Sequence, residues 1–242
     1  SKSYRSMGSI RNKIHTIQQF MRCFKSLIIW SIRSFPRGSS FGQVGQHTVI
    51  EYPCNIGNPN QVYLADQVTI RYGLSIINAK HEKVTIKKYS VIAPQCTIVT
   101  NSHRATAGVP QFILGESHVN DKSGDVVIEE DVWMGANSTV LAGVSIGRGA
   151  TIGACALVTK DIPPYALAIG SPAKIVGVKF TKSGIIRHEK MLYPIEERLT
   201  LDELDELFEK YYSDKKIFGI ENELTLEQQM MINRVKQAHS VQ

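Results

Sequence analysis

The chain has 242 residues, 43% of them hydrophobic, which is enough for a sizeable core and too apolar for a disordered segment. Its +6 net charge is unevenly placed, with eight Lys or Arg and no Asp or Glu in residues 1–50 and an acid-rich region after 195. No apolar run approaches the roughly 20 residues of a membrane span, and no signal-peptide cleavage pattern is present, so a cytoplasmic globular protein is expected.

Residues 10–35 read as a helix. Ile10, Ile14, Ile17, Met21, Phe24 and Ile28 recur at three- or four-residue spacing, with Lys and Arg between them. Phe35-Pro36-Arg37-Gly38 ends the segment. A basic amphipathic helix suits an anionic partner, and peripheral association with a membrane surface is the expectation; an ordinary solvated helix face is the competing reading. The first unit is therefore 1–40.

From Val44 onward an aliphatic residue returns every six positions. Val44, Ile50 and Ile56 are followed, after a shift at "NPNQ", by Leu64, Ile70 and Ile76. A further shift at "KHEKVT" leads to Ile86, Ile92 and Ile98. After an interruption over 104–127 the pattern runs through Ile128, Met134, Val140, Ile146, Ile152 and Val158. A six-residue period rotates around a helix axis and is too long for strand alternation. It fits a short strand plus a turn, three of which make one coil of a parallel β-solenoid with the aliphatics stacked inside. Gly135, Gly147 and Gly153, with small residues such as Ser138, Ala150 and Ala156, are expected to permit the corners. Cys54, Cys96 and Cys155 stand where small buried residues belong, and with Cys23 they match no disulfide or zinc framework. This unit spans 41–180. The remainder, 181–242, reads as helical: "TLDE" at 200–203 is a capping box opening a helix to about Tyr212, and "TLEQ" at 225–228 opens another to about Ala238.

A solenoid needs no excursion as long as 104–127, so that loop is a functional candidate. His103 stands at its base in "VTNSHRATAG". An imidazole there is placed to act at a groove rim, although by spacing alone a lone histidine is more readily a hydrogen-bonded structural residue.

"VVIEEDVWMGANSTVLAGVSIGRGATIGACALVTKDIPPYALAIGSPAKIVG", preceded by "NSHR" and a loop, resembles the hexapeptide-repeat acyltransferases. It is particularly similar to the branch of sugar and xenobiotic O-acetyltransferases, over roughly residues 44–180. The resemblance implies a left-handed parallel β-helix, acetyl-CoA as co-substrate, no metal, no nucleic acid, and a homotrimer with active sites between neighbouring subunits. It places His103 as the general base that deprotonates an acceptor hydroxyl, and the Ala136 N–H as oxyanion donor. Ala136, Ala154, Thr159 and Lys160 would line the coenzyme A path, with Lys160 and Lys174 meeting phosphates. Gly177 stands where some relatives carry a basic residue, so phosphate recognition would be weaker or supplied by Lys179. Trp133, Asn78, Asn101 and Tyr72 are acceptor-site candidates.

The function expected is acetyl transfer to a hydroxyl of a sugar or surface-glycan precursor, at the inner face of the membrane. The alternatives are transfer to a xenobiotic or antibiotic, transfer to an amino-sugar amine, and a non-enzymatic scaffold. A zinc-dependent carbonic anhydrase type would require three imidazoles to meet, with His81, His103 and His118 as the candidates.

Overall fold

In the computed structural model residues 2–238 are described. Helix α1, Lys2–Ser34, leads into the solenoid. Its last turn is tied to the first coil, where Cys54 N donates to Ser34 O at 2.8 Å and the Tyr52 hydroxyl donates to Pro36 O at 2.7 Å. Ile17, Met21, Phe24 and Ile28 are all exposed, as are Phe20, Leu27 and Trp30. Ile10 and Ile14, expected on the same face, lie outside the residues whose side chains are described. No helix among the described residues is long and apolar enough to cross a membrane.

Short strands then visit three parallel sheets in rotation. The first sheet stacks 43–44, 62–64, 84–86, 126–128 and 145–146; the second stacks 49–50, 69–70, 91–92, 133–134, 151–152 and 166–169; the third stacks 55–56, 75–77, 97–99, 139–140 and 157–158. The register confirms the six-residue reading. Leu64 pairs with Ile86, Ile86 with Ile128 and Ile128 with Ile146. Ile70, Ile92, Met134 and Ile152 make a second ladder, and Ile76, Ile98, Val140 and Val158 a third. These side chains are essentially sealed from water, each worth about 1.5–3 kcal/mol of burial. The first coil is looser at its end: Val44 is exposed and Ile50 half-buried.

The glycines work differently from the expectation. Gly135 and Gly147 do not supply the left-handed corner. That conformation falls on Gln95, Asn137 and Cys155 along one edge and on Gln67, Tyr89, Asp131 and Tyr165 along another. Gly135 and Gly147 are where coils approach closely, since a Cβ would stand 2.5 Å from Ala154 N and from Pro164 N respectively. Cys54 and Cys96 are buried as expected, whereas Cys155, in its turn, is exposed.

After 166–169 the chain turns back in an antiparallel strand, Lys174–Val178. The loop after the third coil carries helix α2, Gln111–Ser117; the C-terminal region carries α3, Lys182–Leu192, α4, Leu201–Leu207, and α5, Leu226–Ala238. Thr200 and Glu203 form the expected capping box, though the helix passes into a π turn at Phe208–Tyr212. Thr225 and Gln228 cap α5 reciprocally. The sequence reading missed α3, which Thr181 caps by accepting from Gly184 N.

The C-terminal region docks on one edge of the solenoid, between the first and second sheets. Asp131 in that edge receives Lys179 Nζ and His188 Nε2, each at 3.1 Å. Buried Glu189 accepts from the Tyr165 hydroxyl at 3.0 Å and from Leu199 N at 2.6 Å, with Arg148 at 3.4 Å. Burial works against the charge on Asp131, but the His188 and Lys179 contacts outweigh it and hold the carboxyl below its ordinary value.

Candidate active site

The loop that interrupts the repeat is built from local pairing rather than left structureless. Asn101–Ser102 and Lys122–Ser123 form an antiparallel pair, and Gly124 N donates to Thr100 O at 3.0 Å, so the chain leaves and re-enters the coil side by side. Within it, α2 anchors the excursion through fully buried Leu114, while Phe112 and Ile113 face outward. His118 ends α2 in the left-handed conformation, φ 55°, with its N–H on Leu114 O.

This pairing brings Asp121 to His103. Asp121 Oδ1 lies 2.8 Å from His103 Nδ1, and Oδ2 lies 3.0 Å from His118 Nδ1. The two rings stand 5.3 Å apart. An ionised carboxylate only accepts, so Nδ1 of each neutral ring is the donor and Nε2 keeps its lone pair. The His103 hydrogen bond, helped by His118 and Asn101, holds the Asp121 carboxyl below the ordinary aspartate range. The His103 side chain remains 39% exposed, so Nε2 can be approached, whereas Asp121 is 11% exposed. The Asn101 Oδ1 beside this group is buried and has no hydrogen-bond partner among the described residues.

The candidates divide between two edges of the solenoid. Asn78, Asn101, His103, Thr159 and Lys160 follow third-sheet strands, on the edge leading to the first sheet. Tyr72, Ala136 and Ala154 occupy the edge between the second and third sheets, with Trp133 beside them on the outer surface of the second sheet. Within one chain these two groups are not brought together. Both edges are distinct from the one covered by the C-terminal helices.

Individual placements differ in what they permit. Ala154, Thr159, Lys160, Lys174, Trp133 and Tyr72 are exposed. The Ala136 N–H has no backbone acceptor among the described residues, while its carbonyl accepts from Cys155 N at 2.9 Å. Asn78 is 7% exposed, and its amide is spent on the coil below: Oδ1 accepts from Asn58 N and Nδ2 donates to Asn58 O, both at 2.9 Å. It is a structural rung. Lys179 is held by Asp131 on the covered edge, away from Lys160. Gly177 is buried because the Phe218 ring occupies the place of a side chain there. The three-imidazole set is also not assembled: among the described residues the group with metal-ligand spacing is His103, His118 and Asp121, without His81. Asp121 is the residue the sequence reading missed. Its only local signal is the three-residue spacing from His118, which says nothing about His103.

Residues 125–160 match the family described as bacterial transferase hexapeptide (six repeats). The chain is 32% identical over 137 residues to a galactoside O-acetyltransferase of Lactococcus lactis, covering 56% of this chain and 62% of that protein. It is 48% identical over 64 residues to a chloramphenicol acetyltransferase of Klebsiella aerogenes, covering 26% of this chain and 30% of that protein. The chain thus spans less than two thirds of either curated relative. Among solved structures it is similar to a hexapeptide-repeat acetyltransferase of Vibrio cholerae complexed with acetyl coenzyme A, at 25% identity and a TM-score of 0.52, covering 58% of this chain and 73% of that one.

Proposed function

We propose, from the match of residues 125–160 to the bacterial hexapeptide transferases and the similarity to acetyltransferases, that the chain is a hexapeptide-repeat acetyltransferase that moves the acetyl group of acetyl-CoA to a hydroxyl of a sugar or glycan precursor, with His103 as general base. The observation that carries this reading is the Asp121–His103 pair, which fixes the Nδ1–H tautomer and leaves an exposed Nε2 lone pair. Nε2 takes the acceptor hydroxyl proton as that oxygen attacks the thioester carbonyl. The tetrahedral oxyanion is met by a backbone N–H, for which Ala136 is the candidate. Collapse expels the coenzyme A thiolate, which recovers the proton from Nε2. Asp121 is a positioning residue that also steadies the imidazolium while it exists.

The division of candidates between two edges supports a homotrimer. A neighbouring copy can set its Ala136–Ala154 edge against the His103 edge, and neither edge is covered by the copy's own C-terminal helices. In this reading the coils are left-handed, as the family implies. Lys160 and Lys174, exposed and without an ion pair among the described residues, are the phosphate candidates. The exposed apolar side chains and basic charge of α1 support peripheral attachment to an anionic membrane surface, and in this reading the enzyme works at the inner face.

Acetyl-CoA turnover measured against sugars, sugar nucleotides and chloramphenicol-like acceptors tests the reading. A sugar hydroxyl is expected to be acetylated, and His103→Ala is expected to lower turnover by roughly 100-fold or more. Turnover only with an amine, or an undiminished His103→Ala variant, overturns it. Acetylation of the chloramphenicol-like compounds alone would instead favour the xenobiotic reading. For α1, removal of residues 1–36 is expected to abolish co-sedimentation with vesicles rich in anionic lipid; equal sedimentation with and without the segment refutes membrane attachment.

A further inference from the structure

His103, His118 and Asp121 offer ligand atoms that all lie within 4.8 Å of one another. Zinc binds imidazole nitrogen and carboxylate oxygen at about 2.0–2.2 Å in a tetrahedron. Neighbouring ligand atoms in such a site are separated by roughly 3.3 Å, as follows from those bond lengths. Each imidazole already reaches the carboxylate, His103 Nδ1 at 2.8 Å from Oδ1 and His118 Nδ1 at 3.0 Å from Oδ2, so a small rearrangement that replaces these hydrogen bonds would bring one oxygen and the two nitrogens to that spacing. Two imidazoles and one carboxylate are a donor set for borderline d-block cations, rather than for magnesium or calcium, which prefer oxygen. We propose that these three side chains form a binding site for a divalent transition ion, zinc being the type case, at the base of the 104–127 loop.

The surrounding structure holds the three groups in place without an ion. His103 follows a strand paired antiparallel to the one that Asp121 precedes. His118 is fixed by the left-handed end of α2, whose Leu114 is fully buried. Asn120 Nδ2 donates to Thr106 Oγ1 at 3.3 Å, tying the segment between His118 and Asp121 back across the loop. The exposure of His103 and His118 leaves a fourth coordination position open to water or to a ligand.

An ion on Nδ1 of His103 shifts the ring proton to Nε2, and Nε2 then has no lone pair for an acceptor hydroxyl. Metal occupancy therefore switches the base off. This consequence rests on the general-base reading above; the binding does not.

The test uses the full chain, stripped with a chelator and kept free of acetyl-CoA. Zinc is titrated calorimetrically, and cobalt(II) is titrated by visible absorption. One equivalent per chain is expected, with the intense d–d absorption of a tetrahedral cobalt site. His118→Ala and Asp121→Asn are each expected to weaken binding by about 10–100-fold or more, and His81→Ala to leave it unchanged. His118→Asn, with circular dichroism of every variant, separates lost ligation from lost folding. Absence of saturable binding, or undiminished affinity in folded His118 and Asp121 variants, overturns the site. In a separate assay zinc is expected to suppress acetyl transfer. Saturating zinc that leaves turnover unchanged would retain the site but overturn the switching-off and, with it, the general-base role of His103.

Discussion

Asp121 and Asn78 show how far the work of a residue depends on what its chain neighbours are paired with. Asp121 sits in a polar loop, and only the antiparallel pairing of 101–102 with 122–123 presents it to His103. On the proposed mechanism Asp121→Asn is expected to lower kcat by about 10-fold or more with little change in KM for acetyl-CoA, because there the carboxylate positions the base without touching the donor. Steady-state kinetics read this split; a matching rise in KM would point to a damaged binding groove. Asn78 resembles a site residue in sequence, yet both ends of its amide bond the coil beneath. At Gly135 the constraint is contact between coils: a Cβ would meet Ala154 N at 2.5 Å. Gly135→Ala is expected to cost about 2 kcal/mol or more by overpacking. Gly38→Ala, where a Cβ meets nothing within 4 Å, is expected to stay within about 0.5 kcal/mol. Denaturant midpoints of the two variants compare the sites directly.

Among the elements, the aliphatic ladders were legible because each strand repeats one requirement, an inward branched side chain every six residues, and no other secondary structure satisfies it. The capped helices at 200 and 225 were legible because a capping box is a local hydrogen-bond pattern. Helix α2 and the hairpin at its base were not, since "QFILGES" is too short for a helical period to emerge and 101–102 has no recognisable partner in sequence. α3 meets Asp131 through His188, and the lowered carboxyl pKa gives that contact an expected pH dependence. A depressed native pKa contributes stability above the ordinary aspartate value of 3.8 and loses it as pH falls through that value and below. Asp131→Asn is expected to cost about 1–2 kcal/mol at neutral pH and to flatten the fall in unfolding temperature below pH 4. A wild-type fall of the same steepness in the variant would assign the acid sensitivity to other carboxylates.

For the whole molecule, α3 and α4 cover the edge between the first and second sheets and leave the other two available to neighbours. A trimeric mass in solution is expected, and mixing His103→Ala chains with Ala136→Pro chains tests whether one site draws on two copies. Proline removes the Ala136 N–H at a turn position. Partial recovery of activity on mixing is expected when each inactive chain supplies the edge that the other lacks. No recovery from properly mixed trimers would mean that both groups act within one chain.

The sequence alone determined the solenoid, its stacked aliphatic interior and the prominence of His103. Periodicity is a one-dimensional property, and stacking equivalent coils is the geometry in which this period buries its apolar members from the second coil onward. Tertiary structure alone decided that Asp121 and His118 join His103, that Asn78 and Lys179 are committed elsewhere, and that one edge is sealed. These outcomes turn on contacts such as His188 with Asp131, 57 residues apart in the chain, and no local spacing rule encodes which distant polar groups will meet once the coils are stacked.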